Sequence, residues 1–193
     1  MFARTERLLL RPIWPEDWRN LLAGIADERI ICNLASAPWP YGEADARDFA
    51  AREQHARLPH FLLTRPGEQG QELIGCCGID DQDGAVELGY WIARAHWGQG
   101  YATEAGRAVV GLARMLGHRR LAASHYVDNP ASGRVLGKIG FRPTGKVRDR
   151  YSKARGRKVA AVQFALDLDG PDLGDQDGVM MRSAPDMNRR LAA

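Results

Sequence analysis

The chain lacks any apolar run near the roughly 18 residues that a helix needs to cross a bilayer, and its mean hydropathy is -0.38. The opening stretch MFARTERLLLRP sets Arg4, Glu6 and Arg7 beside a very short apolar run. It has neither the apolar core nor the small-residue cleavage site of a secretory signal. A cytoplasmic location and no membrane association are expected. Cysteine is scarce and odd in number, with Cys32 alone and Cys76 and Cys77 adjacent in an apolar stretch. No CxxC spacing or Cys/His cluster occurs, so no metal is expected and the thiols read as reduced and buried. Strong charge of one sign is missing as well. Lys and Arg number 27 against 24 Asp and Glu, for a net charge of +3. That is too modest for the concentrated basic face of a nucleic-acid binder, and no direct DNA binding is expected.

What is present suits one domain with a short appendage. Among 193 residues, 45% are hydrophobic and 26% charged, the balance of a soluble globular protein. Arg7–Ile13 reads as a strand closed by proline. Apolar residues at Trp18, Leu21, Leu22 and Ile25 give Glu16–Ala26 helical spacing. A loop around Trp39, with Pro38 and Pro40, leads to a second helix over Gly42–Leu58. His60–Thr64 and Glu72–Ile79 read as strands, and DDQDG (Asp80–Gly84) as the turn before a third strand, Val86–Ile92. Ala102–Leu116 is an amphipathic helix closed by Gly117, and Arg120–Val127 a strand. Asn129 before Pro130 starts a short helix that ends at Gly140. Phe141–Tyr151 and Lys158–Asp167 form a last strand pair around KARGR. Strands joined by tight turns run antiparallel, so the expected class is α/β with a mixed, mostly antiparallel sheet flanked by about four helices. From Gly170 the chain turns polar and aperiodic. The acidic residues Asp167, Asp169, Asp172, Asp175 and Asp177 either face the basic stretch Arg142–Lys158 or, as expected, form a separate solvated run.

Between the third strand and the long helix lies HWGQGYATEAG (His96–Gly106). A helix N-terminus offers free N–H groups and the positive end of the dipole. Glycines at 98 and 100 clear the approach for an anion. A Walker loop is excluded, because no Lys follows the glycines. A dinucleotide fingerprint fails at Thr103, where its third glycine belongs, and again about 20 residues on, where Arg119, Arg120 and Leu121 replace an acidic residue.

The span ELGYWIARAHWGQGYATEA (Glu87–Ala105) resembles the acetyl-CoA-binding core of the GNAT N-acetyltransferases. Within them it is most similar to the branch that acetylates N-terminal amines of ribosomal proteins. TERLLLRP (Thr5–Pro12) resembles that branch's opening strand, PEDW its first helix start, and NPASGRVLGKIGFRPTG (Asn129–Gly145) its second motif. The resemblance covers about Thr5–Leu168 in register. It implies a single GNAT domain over 1–169 with a splayed sheet, then a polar tail over 170–193. It also implies acetyl-CoA as acyl donor and transfer to a primary amine on a protein, a peptide or a small molecule, by direct attack in a ternary complex. A homodimer is compatible with it. The rival reading is a non-catalytic acyl-CoA sensor or partner-binding module on the same fold.

By resemblance, Trp97, Gly98, Gln99, Gly100, Tyr101, Ala102 and Thr103 surround the coenzyme phosphates. Trp97 stands where the family has Gln or Arg, so the N–H groups of Gly98–Ala102 are expected to carry the contact. The backbone of Tyr90, Trp91 and Ile92 pairs with pantetheine, and Asn129 contacts its arm while capping a helix. Strand alternation puts Glu87, Gly89 and Trp91 on one face and Val86, Leu88, Tyr90 and Ile92 on the other. Glu87, flanked by Val and Leu, is the expected base, acting through a water on the acceptor amine. Partial desolvation would raise its pKa; a solvated Glu or one paired with an Arg are the alternatives. Ser132 is placed near the thioester sulfur, to protonate the thiolate or bind coenzyme, with Tyr126 a less favoured acid. Trp39 and Tyr41 are expected to wall the acceptor pocket. Glu104 reads as a structural first-turn acid, and His96, His118 and His125 as non-catalytic. The basic stretch Arg142–Lys158 would suit an acidic acceptor, a ribosomal surface or the coenzyme phosphates.

Overall fold

The computed structural model describes residues 1–67 and 70–169. The expected tail over 170–193 lies outside them. Eight strands form one open sheet in the order β1-β2-β3-β4-β5-β6-β8-β7. They are β1 (Ala3–Arg4), β2 (Leu9–Pro12), β3 (His60–Gly67), β4 (Gly70–Gln82), β5 (Ala85–Ile92), β6 (Arg120–Tyr126), β7 (Arg142–Ser152) and β8 (Arg157–Asp167). Every neighbouring pair is antiparallel except β5–β6. The β4–β5 turn has φ 53° at Asp83 and 82° at Gly84, the two left-handed residues of a tight hairpin. Here the expected DDQDG turn narrows to its last two residues, and the strands run closer to it.

Among the described residues, five α-helices flank the sheet: α1 (Trp18–Ile25), α2 (Glu28–Ile31), α3 (Glu43–Ala50), α4 (Tyr101–Met115) and α5 (Pro130–Ile139). α1 to α3 cover one face, where Leu21, Ile25, Ile30, Ile31, Ala46 and Ala50 pack with Leu62, Cys76 and Trp91. α4 and α5 cover the other, joining Val109, Ala113, Leu136 and Ile139 to Leu88, Ile92 and Leu121. Each fully buried Leu contributes about 1.5–3 kcal/mol of transfer free energy. Trp91 therefore faces α1–α3 while Leu88 and Ile92 face α4–α5, as the alternation of β5 predicts.

Three element expectations are corrected. The opening strand is shorter than Arg7–Ile13, because Thr5 and Leu8 close a turn (N to O 2.9 Å) between β1 and β2. The second helix stops at Ala50 rather than Leu58, since no residue from Ala51 to Arg57 is buried to hold another turn. A further one-turn helix, α2, is too short for its periodicity to show; Asp27 caps it by accepting from the Arg29 amide at 2.8 Å. No helix among the described residues is long and apolar enough to cross a membrane.

Candidate active site

β5 and β6 run parallel but pair only at Glu87 and Ala122. Beyond that point they part, and the antiparallel alternation against β4 leaves the N–H and C=O of Tyr90 and Ile92 turned away from β4, toward the gap. A cleft of about 480 Å³ opens there. α2 and the loop after it, β5, the following loop, the start of α4, the end of β6 and the start of α5 line it.

The glycine loop forms one end of this cleft. Gly98 and Gly100 have φ 75° and 82°, and a Cβ built on Gly98 meets nothing within 4 Å. These left-handed residues turn the chain into α4, whose N-cap is Gly100. With no capping side chain there, the first-turn N–H groups of α4 remain available to an anion. Trp97 ties the loop to the end of β5 at the cleft wall, its indole Nε1 donating to the Ile92 carbonyl at 2.6 Å. Gln99 points elsewhere, donating through Nε2 to the Ala95 carbonyl at 3.2 Å. Its side chain does not line the cleft, unlike Trp97, Gly98, Gly100, Tyr101, Ala102 and Thr103. His96 is buried beneath, 3.2 Å from Glu72 and edge-on to Tyr101.

At the other end, the Asn129 side chain accepts from the Ser132 amide at 3.4 Å and caps α5. Both residues line the cleft, so capping and coenzyme contact are compatible in one place. The Ser132 hydroxyl lies 2.8 Å from the Tyr90 hydroxyl, a bond that spans the gap between α5 and β5. Burial pushes the Tyr90 phenol up to about 12, the Ser132 bond opposing. Tyr126, by contrast, donates its hydroxyl to the Tyr151 carbonyl at 3.3 Å, under the Arg155 guanidinium. His125 is packed between Phe164 and Gly133, and His118 meets the Arg57 carbonyl at 2.7 Å.

Glu87 sits where β5 and β6 meet. Its side chain is 14% exposed, sheltered as expected, but by polar groups. Ser124 on β6 donates to Oε1 at 2.9 Å, and Arg150 on β7 reaches over to ion-pair with the same oxygen. The Arg-paired alternative is the arrangement found; Val86 and Leu88 lie on the opposite face. Arg150 also donates to the Ser124 hydroxyl at 2.7 Å, closing a three-membered cluster. Glu87 also belongs to a second cleft of about 300 Å³ beside α1 and α3, lined also by Tyr41, Asp45, Asp48, Phe49, Arg52, His60 and Asp80. Leu34, Ala35, Glu87, Leu88, Gly89, Tyr90, Trp91 and Arg150 line both, so the two clefts meet along β5, with Glu87 at their junction.

The structure thus gathers the loop, Tyr90–Ile92, Asn129, Ser132 and Glu87 around one cleft, and Tyr41 around the other. Tyr41, whose phenol burial pushes up to about 12, donates to the Asp45 carbonyl at 3.2 Å. Trp39 is 40% exposed and lines neither cleft. Residues that spacing does not single out are Arg150, Ser124, Asp48 and Arg52, and no local pattern in the sequence marks them. Asp167 and Asp169 pair with Arg120 and Arg119 at 3.6 and 2.9 Å, not with the basic strand β7. Burial raises the Cys76 and Cys77 thiols well above their usual pKa, to about 12 for Cys76. Among the described residues no group of His, Cys, Asp and Glu could hold a metal ion.

A family model described as the acetyltransferase (GNAT) domain matches residues 7–142. The chain is 35% identical over 170 residues to the uncharacterized N-acetyltransferase p20 of Bacillus licheniformis, covering 84% of this chain and 93% of that one. Its fold is similar to that of a GNAT-family acetyltransferase from Bacillus anthracis, with TM-score 0.75, 24% identity, and coverage of 88% of this chain and 100% of that chain. It is also similar to RimL, a ribosomal L7/L12 alpha-N-protein acetyltransferase solved with coenzyme A, at TM-score 0.72 and 19% identity, over 86% of this chain and 98% of that chain.

Proposed function

Since the chain belongs to the GNAT acetyltransferase family and is an enzyme that transfers acetyl groups, we propose that it acetylates a primary amine directly, with the two clefts holding donor and acceptor. The observation that carries this reading is their junction at Glu87. Acetyl-CoA fits the larger cleft on this chain's own geometry. The bare Gly98 and the uncapped start of α4 suit the diphosphate, and the gap between β5 and β6 offers the Tyr90 amide and carbonyl and the Ile92 amide to the pantetheine amides, the Ile92 carbonyl being held by Trp97.

The acceptor enters from the second cleft, bounded by Tyr41 and Phe49, as an ammonium. Glu87 takes its proton, directly or through one water; both of its resident donors fall on Oε1, leaving Oε2 for that exchange. The neutral nitrogen adds to the thioester carbonyl and becomes cationic, the C–S bond breaks, and the Ser132 hydroxyl, itself bonded to Tyr90, gives its proton to the departing thiolate while taking the surplus proton of the acylated nitrogen. Ser132 thus ends protonated, and Glu87 returns its proton to solvent as the products leave. Polypeptide N-termini and small amines both suit a cleft of about 300 Å³.

The deciding experiment mixes the protein with acetyl-CoA and a panel of small amines and N-terminal peptides, and follows thiol release. Release with at least one amine, above the protein-free rate, is expected. Acetyl-CoA binding without release for any member would favour the non-catalytic sensor, and no binding up to millimolar concentration would remove the donor-cleft assignment.

A further inference from the structure

The glycine loop does not hold itself. Arg7, between β1 and β2, donates through Nη1 to the Gln99 carbonyl at 3.0 Å, and its guanidinium lies over the Tyr101 ring at 4.5 Å. Through Nε and Nη2 it pairs with Glu104 Oε2 at 2.7 and 2.6 Å. The other oxygen, Oε1, accepts from the Arg7 amide at 2.9 Å and the Thr5 hydroxyl at 2.6 Å. A Cβ at Gly100 would stand 3.5 Å from Arg7 Nη2. One side chain from the N-terminal segment therefore grips the carbonyl between the two left-handed glycines, the ring of the first helical residue and the carboxylate of the first turn.

Glu104 poses an electrostatic problem at this spot. An acid in a helix's first turn complements the dipole, but here the same N-terminus faces the coenzyme phosphates, and an unpaired carboxylate would repel them. Burial pushes the Glu104 carboxyl up, yet the Thr5 hydroxyl and the Arg7 amide and guanidinium outweigh it and hold its pKa below the usual value. The group is thus an anion at neutral pH, and Arg7 is the cation that balances it.

We propose that Arg7, with Thr5 and Glu104, is a positioning brace behind the phosphate cradle, fixing the Gln99 peptide between its two glycines and neutralising the first-turn carboxylate of α4, the three side chains standing outside the cleft lining itself. This inference rests on reading the larger cleft as the coenzyme site. It gives the opening motif TERLLLRP a role in coenzyme affinity beyond its place in the sheet.

The test titrates the full chain with coenzyme A by calorimetry and with phosphate-free pantetheine by ligand-observed NMR. Arg7→Met is expected to weaken coenzyme A about ten- to a hundredfold, the range for losing charge-assisted bonds. Pantetheine affinity is expected to stay within about twofold, as for an uncoupled site. Glu104→Gln, which keeps an acceptor for Thr5 while removing the charge, is expected to cost less. The double variant Arg7→Met with Glu104→Gln is expected to regain part of the loss, because the uncompensated carboxylate is then gone as well. Thermal unfolding of each variant checks that it is folded. Equal loss for coenzyme A and pantetheine, unchanged coenzyme A affinity in Arg7→Met, or a double variant no better than Arg7→Met would each overturn the brace. Failure of the wild-type chain to bind coenzyme A would overturn the donor-cleft reading itself, before any variant is compared.

Discussion

The two clefts meet along β5, where Glu87 lines both, but they draw the rest of their walls differently. The larger draws most of its wall from two continuous stretches, Glu87–Thr103 and Ser124–Lys138, and its charged lining sets Arg29, Arg134, Lys138 and Arg150 against Glu87. The smaller takes two short runs, Leu34–Pro38 and Glu87–Trp91, and the rest of its wall as scattered residues from α1, α3, β3, β4, β7 and the turns beside them, and mixes Asp45, Asp48, Asp80 and Glu87 with Arg52, Arg150 and Lys153. A ligand held by backbone N–H groups needs local chain geometry, so a short motif can specify its site. A ligand recognised by side chains needs only that they converge, and convergence leaves no spacing to read. The net basic lining of the first cleft suits a phosphorylated donor, whereas the mixed lining of the second suits a zwitterionic or amine-bearing acceptor.

The contrast yields three expectations. The largest effect falls on the donor side. Gly100→Glu forces a side chain into a left-handed backbone, at about 1–2 kcal/mol, and places a negative charge where phosphates are expected. Calorimetry should show a loss of acetyl-CoA affinity of more than about a hundredfold; unchanged affinity would separate the loop from coenzyme binding. Next is the junction. Glu87→Gln should slow turnover on the order of a hundredfold, the low end for general base removal, with coenzyme affinity near that of the wild type. Wild-type rates would take the base role from Glu87 and leave it as the partner of Arg150 and Ser124. The smallest effect belongs to the acceptor side. Asp48→Asn, an exposed change, should raise KM for a cationic acceptor by no more than about fivefold, the scale of a surface charge. A matching change in coenzyme affinity would mean that the two clefts are not separate.

Much of the larger cleft is legible in the sequence because its features are local. Gly98 and Gly100 take the left-handed conformation, Asn129 and Pro130 open α5, and β5 alternates its faces as its pattern requires. Of the residues expected to face an acceptor, Tyr41 and Glu87 line the smaller cleft. Trp39, equally aromatic and two residues from Tyr41, is exposed outside both clefts, and nothing in the spacing distinguishes the two. Glu87 stands out by its position in β5, but its setting does not. Its partners come from 37 and 63 residues away along the chain, and Val86 and Leu88, its neighbours in sequence, lie across the sheet. The end of α3 escapes a sequence reading for a related reason, because Ala51–Arg57 finds no sheet to bury against.

Short-range patterns were enough for most of the strands and helices, for the left-handed glycine turn into α4, and for the family to which the chain belongs. Each is written in contacts of a few residues' reach, where turn chemistry, capping and periodicity act. Folding in three dimensions was needed to show that Arg150 holds Glu87, that Tyr90 meets Ser132 across the gap, and that Trp97 caps the end of β5. It was needed equally for the balance between Arg7 and Glu104, which lie 97 residues apart. Those pairings depend on which strands the sheet sets side by side and where it lets two of them part. That is a property of packing, and no stretch of the chain carries it alone.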